Sequence, residues 1–224
     1  MEDLKNLEKI AKENLELAIK EKELAGEFNL TGIKEYKRAK IRRELAEKNI
    51  KLNLVRQSLA KKYGDLLEKK TQNKNNELLE FSEEEIKFEK DYSDYLELIN
   101  NIQIEISEIQ VEMANLEIDI SADKIKISHE TEYSAKEREK LGNIQLDYIK
   151  VVMNKKSEKK ISRLYEKYMM IQETLNRDRK DVLNDLKILK QKEIRLADLK
   201  KLLSLKLSER EKIRPKNINM PSLK

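Results

Sequence analysis

The chain contains no cysteine, which excludes disulfides, thiolate metal sites and a thiol nucleophile and leaves the redox compartment unread. Its single histidine, His129, is too few for most metal sites. Four glycines and two prolines are spread over 224 residues. Neither a Gly-rich phosphate loop nor the Pro- and Gly-enriched, aperiodic composition of a disordered chain is therefore present. No run of about eighteen apolar residues occurs, so no transmembrane helix is expected. The start, Met1-Glu2-Asp3-Leu4, is acidic and amphipathic and does not read as a secretory signal. That leaves a cytoplasmic protein or a chain that begins after processing.

What is abundant is charge: Asp, Glu, Lys and Arg make up 41% of the residues, and the mean hydropathy is −0.80. The charge is unevenly placed. Residues 1–70 carry 18 Lys+Arg against 13 Asp+Glu, residues 71–154 carry 9 against 20, and residues 155–224 carry 21 against 10. An acidic middle third beside a basic last third favours pairing of the two in an antiparallel hairpin. Exposed ion pairs contribute under about 1 kcal/mol each, so charge selects the partner while apolar burial stabilises it.

The apolar residues keep helical spacing. From residue 92 to residue 120, Tyr92, Tyr95, Ile99, Ile102, Ile106, Ile109, Met113, Leu116 and Ile120 recur at alternating steps of three and four, a coiled-coil seam. Leu78, Phe81 and Phe88 hold the same register upstream, and the helix spans roughly 65 Å. Ile104, Val111 and Ile118 add a second apolar face, as on a helix packed between two neighbours.

The predicted fold class is mainly α, built of long antiparallel coiled-coil helices. Residues 1–70 read as helix, break, helix. Leu4, Leu7, Ala11, Leu15 and Ala18 line the first helix. Gly26, Gly32 and the N-cap candidate Thr31 mark the break. Leu45, Leu52, Leu59 and Leu66, seven apart and flanked by Ile41, Val55 and Tyr63, line the second. Residues 71–77 read as the connecting loop, residues 78–212 as a long helical hairpin and residues 213–224, after Arg214-Pro215, as an extended tail. In the last helix Leu175, Val182, Leu189, Leu196 and Leu203 fall seven apart, with Leu186 and Leu199 beside them. Residues 124–152 carry two readings. Ile125, Ile127, His129, Thr131 and Tyr133 alternate with polar residues, as do Ile144, Leu146 and Tyr148, which fits a β-hairpin. Leu141, Ile144, Tyr148 and Val151 equally fit an uninterrupted helix.

The order helix, break, helix, helix, β-hairpin, helix resembles the TolC family of outer-membrane efflux proteins. The closer similarity runs from Ala18 to Gly26, from Thr31 through Glu35 to Ala39, and on through Leu45, Ala46 and Ile50. Residues 92–152 are similar to that family's long helix leading into a membrane strand. The resemblance implies a channel subunit in a bacterial outer membrane and periplasm, whose copies pack into a passive export conduit with strands facing lipid on one side.

Individual sites offer little chemistry. His129 has no partner ligands nearby in sequence, and Ser82-Glu83-Glu84-Glu85 reads as a capping box rather than a metal site. Lys155, Lys156, Lys159 and Lys160 form the densest basic patch. It lacks the aromatic interleaving of a nucleic-acid surface, so nucleic acid is not an expected partner. Tyr92 and Tyr95 read as core. No residue is assigned a catalytic, cofactor-binding or metal-binding role, and an enzyme is not expected. The expected partners are further copies of the chain or other long helices meeting the 92–120 seam, with membrane contact under the channel reading. Besides that channel, two functions fit: a soluble coiled-coil scaffold, stalk or filament subunit, and a membrane-surface-binding remodelling protein that uses its basic faces on anionic lipid.

Overall fold

Three helices account for the fold in a computed structural model that describes residues 2–72, 83–154 and 157–213. They are α1 (Glu2–Gln72), α2 (Glu83–Met153) and α3 (Glu158–Lys212). The architecture is mainly α, with no strand among the described residues.

Two expectations change, and of the two readings of residues 124–152 the helical one holds. Residues 124–152 form no β-hairpin, because α2 runs through them to Met153. Their buried positions include Ser128, Ala135, Gly142 and Ile149, seven apart, with Ile127, Ser134, Leu141 and Gln145 beside them at helical spacing, and this period outweighs the two-residue alternation of Ile and Tyr. The break expected at 26–32 is absent, because α1 passes through both glycines. Gly32 is kept for space: a Cβ there would lie 2.9 Å from a side-chain carbon of Ile125 and 3.2 Å from the backbone oxygen of Ser121. Thr71 and Gln72, assigned to the loop, belong to α1. The rest of that loop, the seam extension at Leu78 and Phe81, the capping residue Ser82, Lys155 with Lys156, and residues 214–224 of the tail lie outside the described residues.

Contacts divide the chain differently from its linear order, with boundaries inside the helices. One compact unit comprises Met1–Arg38 and Glu117–Ile194, the other Ala39–Leu116 and Arg195–Lys224.

In the first unit, α1 buries Ala11, Ala18, Ala25 and Gly32, and α2 buries Ser121, Ser128, Ala135 and Gly142. These stripes meet almost backbone to backbone. The Ser128 hydroxyl donates to the Ala25 carbonyl at 2.7 Å, and a Cβ on Gly142 would lie 2.9 Å from the Ala11 carbonyl oxygen. Small side chains are what permit this, since the separation of packed helices is set by what stands between them. Ion pairs flank the seam, with Glu35 to Lys124 at 2.7 Å and Lys22 meeting Glu139. Larger buried side chains come from Ile127, Leu141 and Ile149 of α2 and Leu175 and Leu189 of α3. Lys192 of α3 pairs with Asp123 of α2.

The second unit repeats the scheme. Ala39, Ala46, Asn53 and Ala60 of α1 are buried, as are Ser93, Asn100, Ser107 and Ala114 of α2. The Ser93 hydroxyl donates to the Ala60 carbonyl at 2.7 Å, and Gln57 donates to Asn101. The Ser107 hydroxyl turns back to the Gln103 carbonyl of its own helix, which satisfies it without a partner across the seam. On the side of α2 that carries the sequence seam, Ile102, Ile106 and Leu116 are buried, whereas Tyr92 stays exposed and stacks on Tyr95 at 6.3 Å. Acidic α2 meets basic α3 here through Glu105 to Lys206 at 2.6 Å and Glu112 to Arg195 at 2.7 Å, the pairing the charge distribution predicts. Leu199 of α3 is buried.

Candidate interaction surface

Along its second-unit portion α1 carries two apolar stripes, of which only one is covered among the described residues. The small stripe packs on α2. The stripe of large side chains, Ile41, Leu45, Leu52, Val55, Leu59 and Leu66, is between 47% and 64% exposed at every position. On sequence this is the packing face of the helix; among the described residues no other helix covers it. Already about half covered by their own helix, these side chains would each gain about 1 kcal/mol from completing that burial, and an exposed apolar line of this length marks a surface that meets another molecule.

The geometry of the stripe is that of a seam. Positions 41, 45, 48, 52, 55, 59, 62 and 66 step by four and three, and Lys48 and Lys62 occupy two of them. Lys51 and Arg56 border the line on its two sides, with Glu44 and Asp65 as the acidic neighbours, and all six charged side chains are exposed. The surface is therefore an apolar line interrupted by two lysines, with four cations against two carboxylates over the whole face.

Other features belong to the packing of single units. In the first unit Tyr148, Tyr165 and Tyr168 tilt against one another at 6.4 and 6.2 Å and, with Leu7 and Gln145, line a cavity of about 170 Å³. In the second, Leu98, Ile102, Ile104 and Leu205 line a groove with Glu105, Glu209 and Lys212 at its edges. His129 lies exposed on α2, and among the described residues no three His, Asp or Glu side chains gather as metal ligands. Lys159 and Lys160 of the basic patch are exposed on the first turns of α3, beside Arg163 and Lys167. Among the described residues, no helix is long and apolar enough to cross a membrane.

Two polar clusters in the first unit were not foreseen from sequence. Arg138 is buried and donates Nε and Nη2 to the two carboxylate oxygens of Glu21 at 2.8 and 2.7 Å, beside the Asn14 amide, which donates to Gln145 at 3.0 Å. The second is carboxylic. Burial pushes Glu130 above its ordinary value of 4.5, the hydrogen bond to Asp185 adds to this, and Lys126 opposes it. Asp185 is held below its ordinary range chiefly by Lys126, at 2.8 Å, and then by Glu130. The pair holds one proton most readily on Glu130. A raised carboxyl favours the folded state while protonated and loses that advantage as pH climbs through the raised value, so this unit is expected to weaken as pH rises from about 4.5 toward neutrality. Below that range, protonation of Asp185 loosens its contact with Lys126. Glu130→Gln is expected to flatten the upper limb of a plot of unfolding midpoint against pH, and an unchanged limb would exclude Glu130 as its source.

Neither a family model, a curated protein nor a solved structure matches this chain.

Proposed function

We propose that the chain is a non-enzymatic helical assembly protein: an antiparallel coiled coil that serves as a scaffold, stalk or filament subunit and engages its partner along the large-side-chain face of α1. The uncovered seam from Ile41 to Leu66 carries this reading, because a heptad line of exposed Leu, Ile and Val has no role in a helix that works alone. Support for antiparallel pairing comes from each unit separately, where residue numbers rise on α1 as they fall on α2. In the first unit Asn14 meets Gln145, Glu21 meets Arg138 and Glu35 meets Lys124; in the second Gln57 meets Asn101 and Glu68 meets Lys90.

The alternative of a TolC-type conduit draws on residues 92–152 leading into a membrane strand. Those residues are helical to Met153, so that reading keeps only its N-terminal similarity as support. Photo-cross-linking in the source cells from a reactive residue placed at position 59 separates the readings. Protein adducts are expected, from a further copy or another chain. Adducts to lipid alone, or none at all, would overturn assembly through this face.

A further inference from the structure

We infer that the α1 face between Ile41 and Leu66 docks an amphipathic helix of another protein whose flanks carry carboxylates, and not a second copy of this chain. The inference rests on the assembly reading above and specifies the partner. The line Ile41, Leu45, Leu52, Val55, Leu59 and Leu66 lies on one continuous helix, so no ordering of α1 is needed before a partner settles on it. An incoming helix would offer Leu or Ile at matching steps of three and four.

Charge then selects among such helices. Lys48 and Lys62 stand on the seam line itself, where their methylene stems can cover apolar neighbours only if each ammonium reaches the margin of the interface. Together with Lys51 and Arg56 at the margins they make four cations against the two carboxylates of Glu44 and Asp65, so the face as a whole is net cationic. A partner with Glu or Asp on its flanks would receive these ammonium and guanidinium groups. A second copy would bring the same cations against themselves, and like charges at flanking positions of a coiled coil disfavour pairing. Anionic lipid shares the charge but lacks regular side-chain spacing, so a leucine-lined acidic helix satisfies both features of the face.

The test titrates the full chain with two synthetic helical peptides that share one Leu/Ile seam, flanked by glutamates in one and by lysines in the other. The acidic peptide is expected to bind about ten-fold tighter, with the preference shrinking at high salt. Val55→Asp with Leu59→Asp should weaken its binding about ten-fold or more. Because those changes could disturb the helix, a second chain carrying Lys48→Glu and Lys62→Glu is measured as well; both sites are exposed, and the peptide preference should reverse with the circular dichroism unchanged. Equal affinity for the two peptides, or an unaltered preference in the Glu-substituted chain, overturns charge-selected docking while leaving the assembly reading intact. Binding of neither peptide also overturns it. Self-association lost in the Val55→Asp, Leu59→Asp chain would then assign the face to a second copy. Co-sedimentation with phosphatidylcholine vesicles only when they contain phosphatidylserine would assign it to lipid, and the assembly reading would fall too.

Discussion

Replacing Ala135 by leucine is expected to lower stability by about 3 kcal/mol, although leucine is larger, apolar and nearly as good a helix former. Ala135 is fully buried. It sits on the α2 stripe whose neighbours Ser128 and Gly142 reach the Ala25 and Ala11 carbonyls of α1, so the same register puts Ala18 opposite it. Three further heavy atoms at so closely packed a position require the two helices to separate along the seam. Glycine-to-alanine changes give the internal control. Alanine normally gains about 1 kcal/mol over glycine in a helix. At Gly26, where nothing lies within 4 Å of the added methyl, that gain should appear in full. At Gly142 the methyl would meet the Ala11 carbonyl oxygen at 2.9 Å, so the backbones must move and the same change should destabilise. Chemical denaturation of the three variants checks the set. Equal effects at Gly26 and Gly142, or a loss under about 0.5 kcal/mol for Ala135→Leu, would mean that α1 and α2 are not closely packed.

This seam also explains which parts of the fold the sequence discloses. Steps of three and four in Ile, Leu and Met mark α2 near residue 106, and of the α3 line Leu175 and Leu189 are buried, Val182, Leu196 and Leu203 half-buried, with Leu199 buried beside them. The opposite charges of the middle and last thirds anticipated Glu105 with Lys206 and Glu112 with Arg195. Large side chains announce themselves in a hydropathy pattern; alanine, glycine and serine do not. The repeat Ala11, Ala18, Ala25, Gly32, Ala39, Ala46, with Ala60 two steps on, was legible as a seven-residue interval, but glycine within it reads as punctuation when its absent Cβ is in fact what the packing needs. Conversely, Leu45, Leu52 and Leu59 looked like core because they repeat, and repetition reports that a face meets something without saying that the partner is in the same chain. Leu186, named beside the α3 line, is 40% exposed because the inward position between Val182 and Leu189 is taken by Asp185, one residue earlier on the helix. The Arg138 cluster was invisible because Glu21 and Arg138 are far apart in sequence, and each alone looks like an ordinary surface charge.

That cluster should give the other large effect. Glu21→Leu alone is expected to cost about 2–3 kcal/mol, and Glu21→Leu combined with Arg138→Met to cost less than the single change. The Arg138 side chain is 4% exposed while that of Glu21 is 28% exposed. Removing the carboxylate thus leaves a guanidinium in a nearly dry site with the Asn14 oxygen, at 3.5 Å, as its remaining acceptor among the described residues. The full penalty for a stranded buried charge runs to about 3–5 kcal/mol, and the partly wet Glu21 end of the site lowers it. Removing both charges abolishes that penalty and fills the space with methylene and methyl groups, leaving Asn14 and Gln145 to each other. A double-mutant cycle read by urea denaturation measures the coupling. Were the double variant to lose the sum of the two single losses, the two groups would be acting independently, and the fork between Arg138 and Glu21 would contribute nothing to holding α2 against α1 in this unit.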